Sequence, residues 1–232
     1  MTKMTKEKRS LLALCAVALI GSLGLIPMFF GVLRTTPVTG SLIRVACVGD
    51  SITEGSGYTR DLQNMLGAEY HVRNFGVSGS TVLASSDRPY MCQKEYKSSQ
   101  IFLPEIVVIM LGTNDARANL YYSINNFSVE YKKMITDYQA LVSKPEIWLV
   151  TPPPISENEL DLKNLNLEQR IIPQIEQVAN ELNLPTIDVN SILTGHPEYL
   201  MDGVHPSREG ATIIASAVSQ AITINGTKIA QF

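Results

Sequence analysis

Six consecutive apolar residues, Ile106-Val107-Val108-Ile109-Met110-Leu111, constrain this chain more than any other stretch. The run is almost purely apolar and largely β-branched. It therefore reads as a central strand of a parallel sheet, covered on both faces. Other short apolar runs alternate with helical patterns around it. Residues 42–48 read as a buried strand ending at Gly49, and residues 70–74 as a short strand. Residues 147–150 form a strand stopped by Pro152-Pro153-Pro154, and residues 186–189 form a fifth. Helical patterns cover residues 59–66, with Leu62, Met65 and Leu66 on one face, and residues 128–142. Two more cover residues 167–182, with Pro173 as a local irregularity, and residues 209–224. This β-α alternation implies a parallel sheet sandwiched between helices. The chain shows no internal repeat and no low-complexity tract.

Ahead of this alternation lies a different object. Residues 11–33 contain no charged side chain. A 23-residue helix at ~1.5 Å per residue is about 34 Å long, enough for the ~30 Å hydrocarbon core of a bilayer. Lys3, Lys6, Lys8 and Arg9 precede the run, whereas Arg34 and Arg44 follow it. The positive-inside rule then places the N-terminus in the cytoplasm and the rest of the chain outside. The expected organisation is a cytoplasmic basic tail (1–10), a transmembrane signal anchor (11–33), a linker (34–40) and a globular domain (41–232). The alternative is a secreted protein with a cleaved signal peptide. That run is usually only about 7–15 residues, and no small-x-small site follows Leu33.

The composition describes these two objects together. Mean hydropathy is slightly positive at +0.07, and only 18% of residues are charged. Both figures are shifted by the first 34 positions, which hold five of the 19 basic residues and one of the 22 acidic ones. The remainder carries 14 basic against 21 acidic residues, a formal −7. Such a surface is no footprint for nucleic acid or anionic lipid. The three cysteines, Cys15, Cys47 and Cys92, have no metal-ligand spacing and no evident disulfide pattern. Nothing in the sequence sets an oligomeric state.

In doubly wound sheets the site lies beyond the carboxyl ends of the strands. After the first strand comes Gly49-Asp50-Ser51-Ile52-Thr53. A serine between a strand and a helix is placed to act as a nucleophile, with its N–H in an anion-binding corner; the plain alternative is a helix cap. After the second comes Asn74-Phe75-Gly76-Val77-Ser78-Gly79, whose glycines let the backbone approach a ligand. After the central strand comes Gly112-Thr113-Asn114-Asp115, where an asparagine amide can donate to a developing oxyanion or simply make a turn. Before the last helix comes Asp202-Gly203-Val204-His205-Pro206, in which a carboxylate three residues from an imidazole can fix its tautomer. His71 and His196 have no such partner pattern and read as structural. Four weak signals in the right order supply one mechanism together.

In these blocks the chain resembles the SGNH, or GDSL-type, hydrolases, across about residues 42–224. Ile52 stands where the family name implies leucine, a conservative change. The Gly-x-Ser-x-Gly elbow of ordinary α/β-hydrolases is absent. The resemblance implies a flavodoxin-like three-layer α/β/α sandwich whose five-stranded parallel sheet has the order 2-1-3-4-5. It implies ester hydrolysis without metal or organic cofactor. Ser51 is then the nucleophile, His205 the proton carrier and Asp202 its orienting carboxylate. The oxyanion hole comprises the backbone N–H groups of Ser51 and Gly79 and the side chain of Asn114; Asp50 is structural.

The expected substrate is a small-molecule or glycan ester. The loops over residues 85–100, with Arg88, Tyr90 and Tyr96, and 117–126, with Tyr121 and Tyr122, are polar and aromatic. The loop over residues 152–166 is polar and acidic. Together they suit a carbohydrate face better than a long acyl chain. A carbohydrate O-acetylesterase is the expectation. A lysophospholipase or thioesterase, an acyltransferase to sugar, and a non-catalytic binding homologue are the alternatives.

Overall fold

A computed structural model describes residues 41–229. The predicted membrane span over residues 11–33 lies outside the described residues. Among these, no helix is long and apolar enough to cross a membrane.

Five strands form one parallel sheet: β1 (Ile43–Gly49), β2 (Tyr70–Gly76), β3 (Ile106–Met110), β4 (Glu146–Val150) and β5 (Thr186–Ile187). Their order is β2-β1-β3-β4-β5, so the expected topology holds. The helices are α1 (Ser51–Gly55), α2 (Tyr58–Leu66), α3 (Lys94–Ile101), α4 (Phe127–Gln139), α5 (Ile172–Leu182), α6 (Val189–Leu193) and α7 (Arg208–Ile229).

Side-chain alternation along the strands divides the core in two. Ala46, Val48, Val107, Ile109, Ile147 and Leu149 face Tyr96 of α3, Tyr131 and Met134 of α4, and Ile175 and Val178 of α5. Val45, Cys47, Val108, Met110, Trp148 and Val150 face Tyr58 and Leu62 of α2 and Ile214, Ala215 and Val218 of α7. β3 is buried at every position, as a strand between two helical layers must be.

The departures from the sequence reading have local causes. The polar stretch over residues 85–100 contains α3, which buries only Tyr96 and Ser99 and so carries almost no apolar periodicity. The irregularity near Pro173 is a π-helical turn, Leu167–Ile171, after which Pro173 sits in the first turn of α5, where a missing N–H is harmless. β5 stops at Ile187 because Asp188 accepts the Ser191 N–H at 3.1 Å and caps α6. Cys47 and Cys92 are free thiols.

Candidate active site

β1 delivers Ser51 to the upper edge of the sheet. Asp50, buried between strand and helix, accepts the Ile52 N–H at 2.9 Å and caps α1. Gly49 and Gly76 are register partners at the ends of β1 and β2. A Cβ on Gly76 would lie 2.2 Å from the Glu54 nitrogen, and one on Gly49 would lie 2.0 Å from Thr53 Oγ1. The two bare positions thus let α1 rest directly on the strand ends. Asn74 gathers the last turn of α1, donating through Nδ2 to the carbonyls of Thr53 at 2.6 Å and Glu54 at 3.2 Å. Gly76 was expected to let backbone approach a ligand; its space is taken by α1 instead. Burial pushes the Asp50 carboxyl up to about 6, against the pull of the Ile52 N–H.

His205 reaches Ser51 from 154 positions away, with Nε2 2.8 Å from Oγ. Its Nδ1 lies 2.7 Å from Asp202 Oδ2. The carboxylate keeps the neutral ring protonated at Nδ1, which leaves Nε2 free to accept the serine proton. The other oxygen of Asp202 accepts the N–H groups of Val204 at 3.1 Å and His205 at 2.8 Å. Partial burial raises the Asp202 carboxyl, but the bonds from His205 outweigh it and hold the group below the usual carboxylate range. Two backbone bonds brace this loop: Met201 N–H to His205 carbonyl and Ser156 N–H to Gly203 carbonyl, both 2.8 Å. Gly203 has φ +81°, and a Cβ there would meet the Glu157 carbonyl at 2.1 Å. A side chain there is strained both by the φ and by the contact, so the junction favours glycine.

Gly79 and Asn114 face the same corner. Gly79 has φ +75°. Neither its N–H nor that of Ser51 is taken by a protein acceptor among the described residues. Asn114 is buried and donates through Nδ2 to the Ser80 carbonyl at 3.1 Å and to Asp50 Oδ2 at 3.3 Å. Next to it, buried Asp115 accepts the N–H groups of Val82 at 3.0 Å and Leu83 at 2.9 Å, tying the segment after Gly79 to the end of β3. Burial pushes this carboxyl up to about 7 against those two bonds. The sequence reading quoted Asp115 but gave it no task. The only signal was its place beside Asn114.

The structure thus joins Ser51, His205 and Asp202 directly and sets Asn114 against Asp50 and Ser80, the chain neighbours of Ser51 and Gly79. His71 packs edge-on against Phe102 at 5.3 Å, as a structural residue would. His196 does have a carboxylate partner, Glu198 at 2.9 Å, contrary to expectation, because the intervening Pro197 starts a tight turn. It has no bonded hydroxyl, however, and stacks on Tyr199. Tyr90 and Tyr96 are buried: their hydroxyls donate to the Phe75 carbonyl and to Asp137, both at 2.6 Å, so neither can present a face to sugar. Of the tyrosines in these loops, Tyr121 and Tyr122 are the exposed ones, Tyr122 at 87%. A cleft lined by Glu157, Glu159, Leu160 and Met201 opens beside Asp202. No group of three or more His, Cys, Asp or Glu suited to a metal occurs among the described residues.

Residues 47–213 match the GDSL-like lipase/acylhydrolase family. The acetylxylan esterase of Xylanibacter ruminicola is 32% identical over 206 residues, covering 78% of this chain and 43% of that protein. The chain thus spans less than half the length of this curated relative. Among solved structures, a GDSL-like lipase from Bacteroides thetaiotaomicron superposes with a TM-score of 0.62 at 26% identity, over 78% of this chain and 88% of that one. A carbohydrate acetylesterase from Sinorhizobium meliloti gives 0.63 at 17% identity, over 78% and 98%, a likeness of fold.

Proposed function

The chain belongs to the GDSL-like lipase/acylhydrolase family of ester-hydrolysing enzymes, and we propose on that footing a carbohydrate O-acetylesterase that works through an acyl-enzyme on Ser51. The observation that carries the reading is the continuous relay from Asp202 through His205 to the Ser51 hydroxyl, with links of 2.7 and 2.8 Å. Ser51 Oγ attacks the ester carbonyl while its proton passes to His205 Nε2. The same nitrogen returns the proton to the leaving alcohol. Water, deprotonated by His205, then releases acetate from the serine.

The oxyanion is held by the N–H groups of Ser51 and Gly79 and by Asn114 Nδ2. Both hydrogens of Nδ2 are engaged in the free protein, so the longer bond, to Asp50, is the one a developing oxyanion replaces. One such donor contributes about 2.7–4 kcal/mol in the transition state. Three facts support acetylated carbohydrate as substrate. The curated relative is an acetylxylan esterase. Exposed Tyr121 and Tyr122 follow the Asn114 turn. The acidic cleft beside Asp202 suits a hydroxyl-rich alcohol better than an anionic headgroup.

The test uses the full chain. A serine-directed phosphonate should label it, and Ser51→Ala should abolish both labelling and hydrolysis. Acetyl esters should be cleaved in strong preference to long-chain ones. Full activity in Ser51→Ala would sink the mechanism, and preference for long chains would sink the substrate assignment. We also propose that residues 11–33 anchor the protein in a membrane with the catalytic domain outside, supported by the uncharged run and its basic flank. Recovery of the full-length protein in the soluble fraction overturns that part.

A further inference from the structure

Arg117 has no task in the mechanism above, yet its guanidinium stands at the oxyanion corner. Its Nη2 donates to Asn114 Oδ1 at 3.3 Å, the one hydrogen bond that this oxygen receives among the described residues. The same nitrogen lies 3.9 Å from where a Cβ on Gly79 would project. On its other side, Nη1 is 3.7 Å from Asp87 Oδ1. The Arg117 side chain is 28% exposed, while Asp87 is 87% exposed. The backbone here is held on both flanks. Lys163 N–H donates to the Ala116 carbonyl at 3.2 Å and Ala118 N–H to the Asp161 carbonyl at 3.4 Å. The guanidinium therefore hangs from a fixed point, three residues after the amide it touches.

We propose that Arg117 is the positioning residue of the oxyanion hole, acting through Asn114; this rests on the esterase reading above. Two effects follow from the contact. A cation bonded to an amide oxygen draws electron density from it and makes the two N–H hydrogens stronger donors. The bond also fixes the amide plane from the oxygen side, while Ser80 and Asp50 fix it from the nitrogen side. When the oxyanion replaces Asp50 as acceptor, the amide loses one of its tethers at the moment of reaction. The Ser80 carbonyl then holds the amide from the nitrogen side, and Arg117 is the tether that stays on its oxygen. Its contribution appears in the transition state and not in ground-state binding, so it belongs to kcat.

Steady-state hydrolysis of an aryl acetate by the full chain tests this, with Arg117→Met made alone and with Asn114→Ala. The single variant should lose about tenfold in kcat, the scale of one charge-assisted hydrogen bond, with KM within about twofold of the parent. In the Asn114→Ala background the same change should alter kcat by less than about twofold, because the group through which it acts is gone. A loss of equal size in both backgrounds, an effect confined to KM, or no effect overturns the proposal. Should Arg117→Met fold poorly, Arg117→Lys carries the same test, since it keeps the alkyl stem and charge but lacks the planar fork. Its kcat should fall at least about threefold, and only where Asn114 is present. The Asn114 side-chain amide resonances give a reading that needs no turnover. They should move in Arg117→Met while the backbone signals of β3 stay in place, and unmoved amide signals overturn the proposal. If the parent hydrolyses no ester, the esterase reading fails, and the amide signals still decide whether Arg117 positions Asn114.

Discussion

Ser51, Gly79 and Asn114 stand on strand ends with a packed core beneath them, whereas Asp202 and His205 hang in a loop before α7. Asp50 and Asn114 are 1% and 5% exposed; the side chains of Asp202 and His205 are 51% and 27% exposed. The first half is positioned by exclusion: two glycines leave room for α1, and the helix has nowhere else to rest. The second half is positioned by counting bonds, with three to the Asp202 carboxylate and two more to the loop backbone. A site of this kind divides its requirements. In the proposed mechanism the oxyanion corner needs rigidity, and the proton carrier needs a fixed tautomer more than a fixed environment.

That contrast can be broken most severely on the exposed side. Asp202→Asn presents an amide donor to Nδ1 and favours the wrong ring tautomer. We expect kcat for acetyl ester hydrolysis to fall on the order of 10⁴-fold, while thermal unfolding shows the domain still folded. Asn114→Ala attacks the buried side and should lower kcat about 10²–10³-fold with little change in KM. A shift in KM instead would mean that Asn114 holds substrate, not transition state.

Two glycine substitutions sharpen the comparison. Gly76→Ala forces a methyl against the Glu54 nitrogen where α1 packs on the end of β2, and should cost more than about 3 kcal/mol in denaturant unfolding, enough to lower the yield of folded protein. Gly203→Ala meets the Glu157 carbonyl between two surface loops, which can part. It should cost about 1–3 kcal/mol and lower kcat roughly tenfold by displacing His205. If Gly203→Ala proved the more destabilising, the division between a packed half and a bonded half would be wrong.

The smallest effect concerns pH. Burial raises Asp50 to about 6 and Asp115 to about 7. A raised carboxyl contributes stability that is fully present below its unfolded value near 3.8 and lost as pH climbs through its folded value. Asp202, held low, works in the opposite sense and loses its contribution only as pH falls below about 3.8. The melting temperature should therefore decline by a few degrees between about pH 4 and 7. Asp115→Asn should flatten that decline, although its single acceptor oxygen must serve two N–H groups. An unchanged slope would assign the dependence elsewhere.

The packed half was also the more legible half. The run over residues 106–111 and the alternation around it disclosed the parallel sheet, because burial on two faces leaves an unmistakable composition. The strand order, by contrast, came with the family resemblance. Ser51, Asn114 and the Asp202–His205 pair were readable because each follows or precedes an element that was itself readable. α3 was hidden by its polar sequence, with only Tyr96 and Ser99 turned inward. Tyr90 and Tyr96 looked like surface aromatics in that same polar stretch, yet both hydroxyls find partners that let them sit inside. Arg117 could not be read at all. Its contact with Asn114 depends on the side chain folding back across a turn, and no periodicity records such a contact.

The bond from Ser156 to the Gly203 carbonyl couples two tasks that many enzymes keep apart. Residues 157–160 form one wall of the cleft beside Asp202, and Ser156 just before them supports the turn that carries His205. Any change that reshapes this wall to admit a different alcohol pulls on the turn as well. If the proposed esterase admits its alcohol through this cleft, selectivity and turnover are coupled through that one bond, and a change of leaving group carries a change in proton transfer with it.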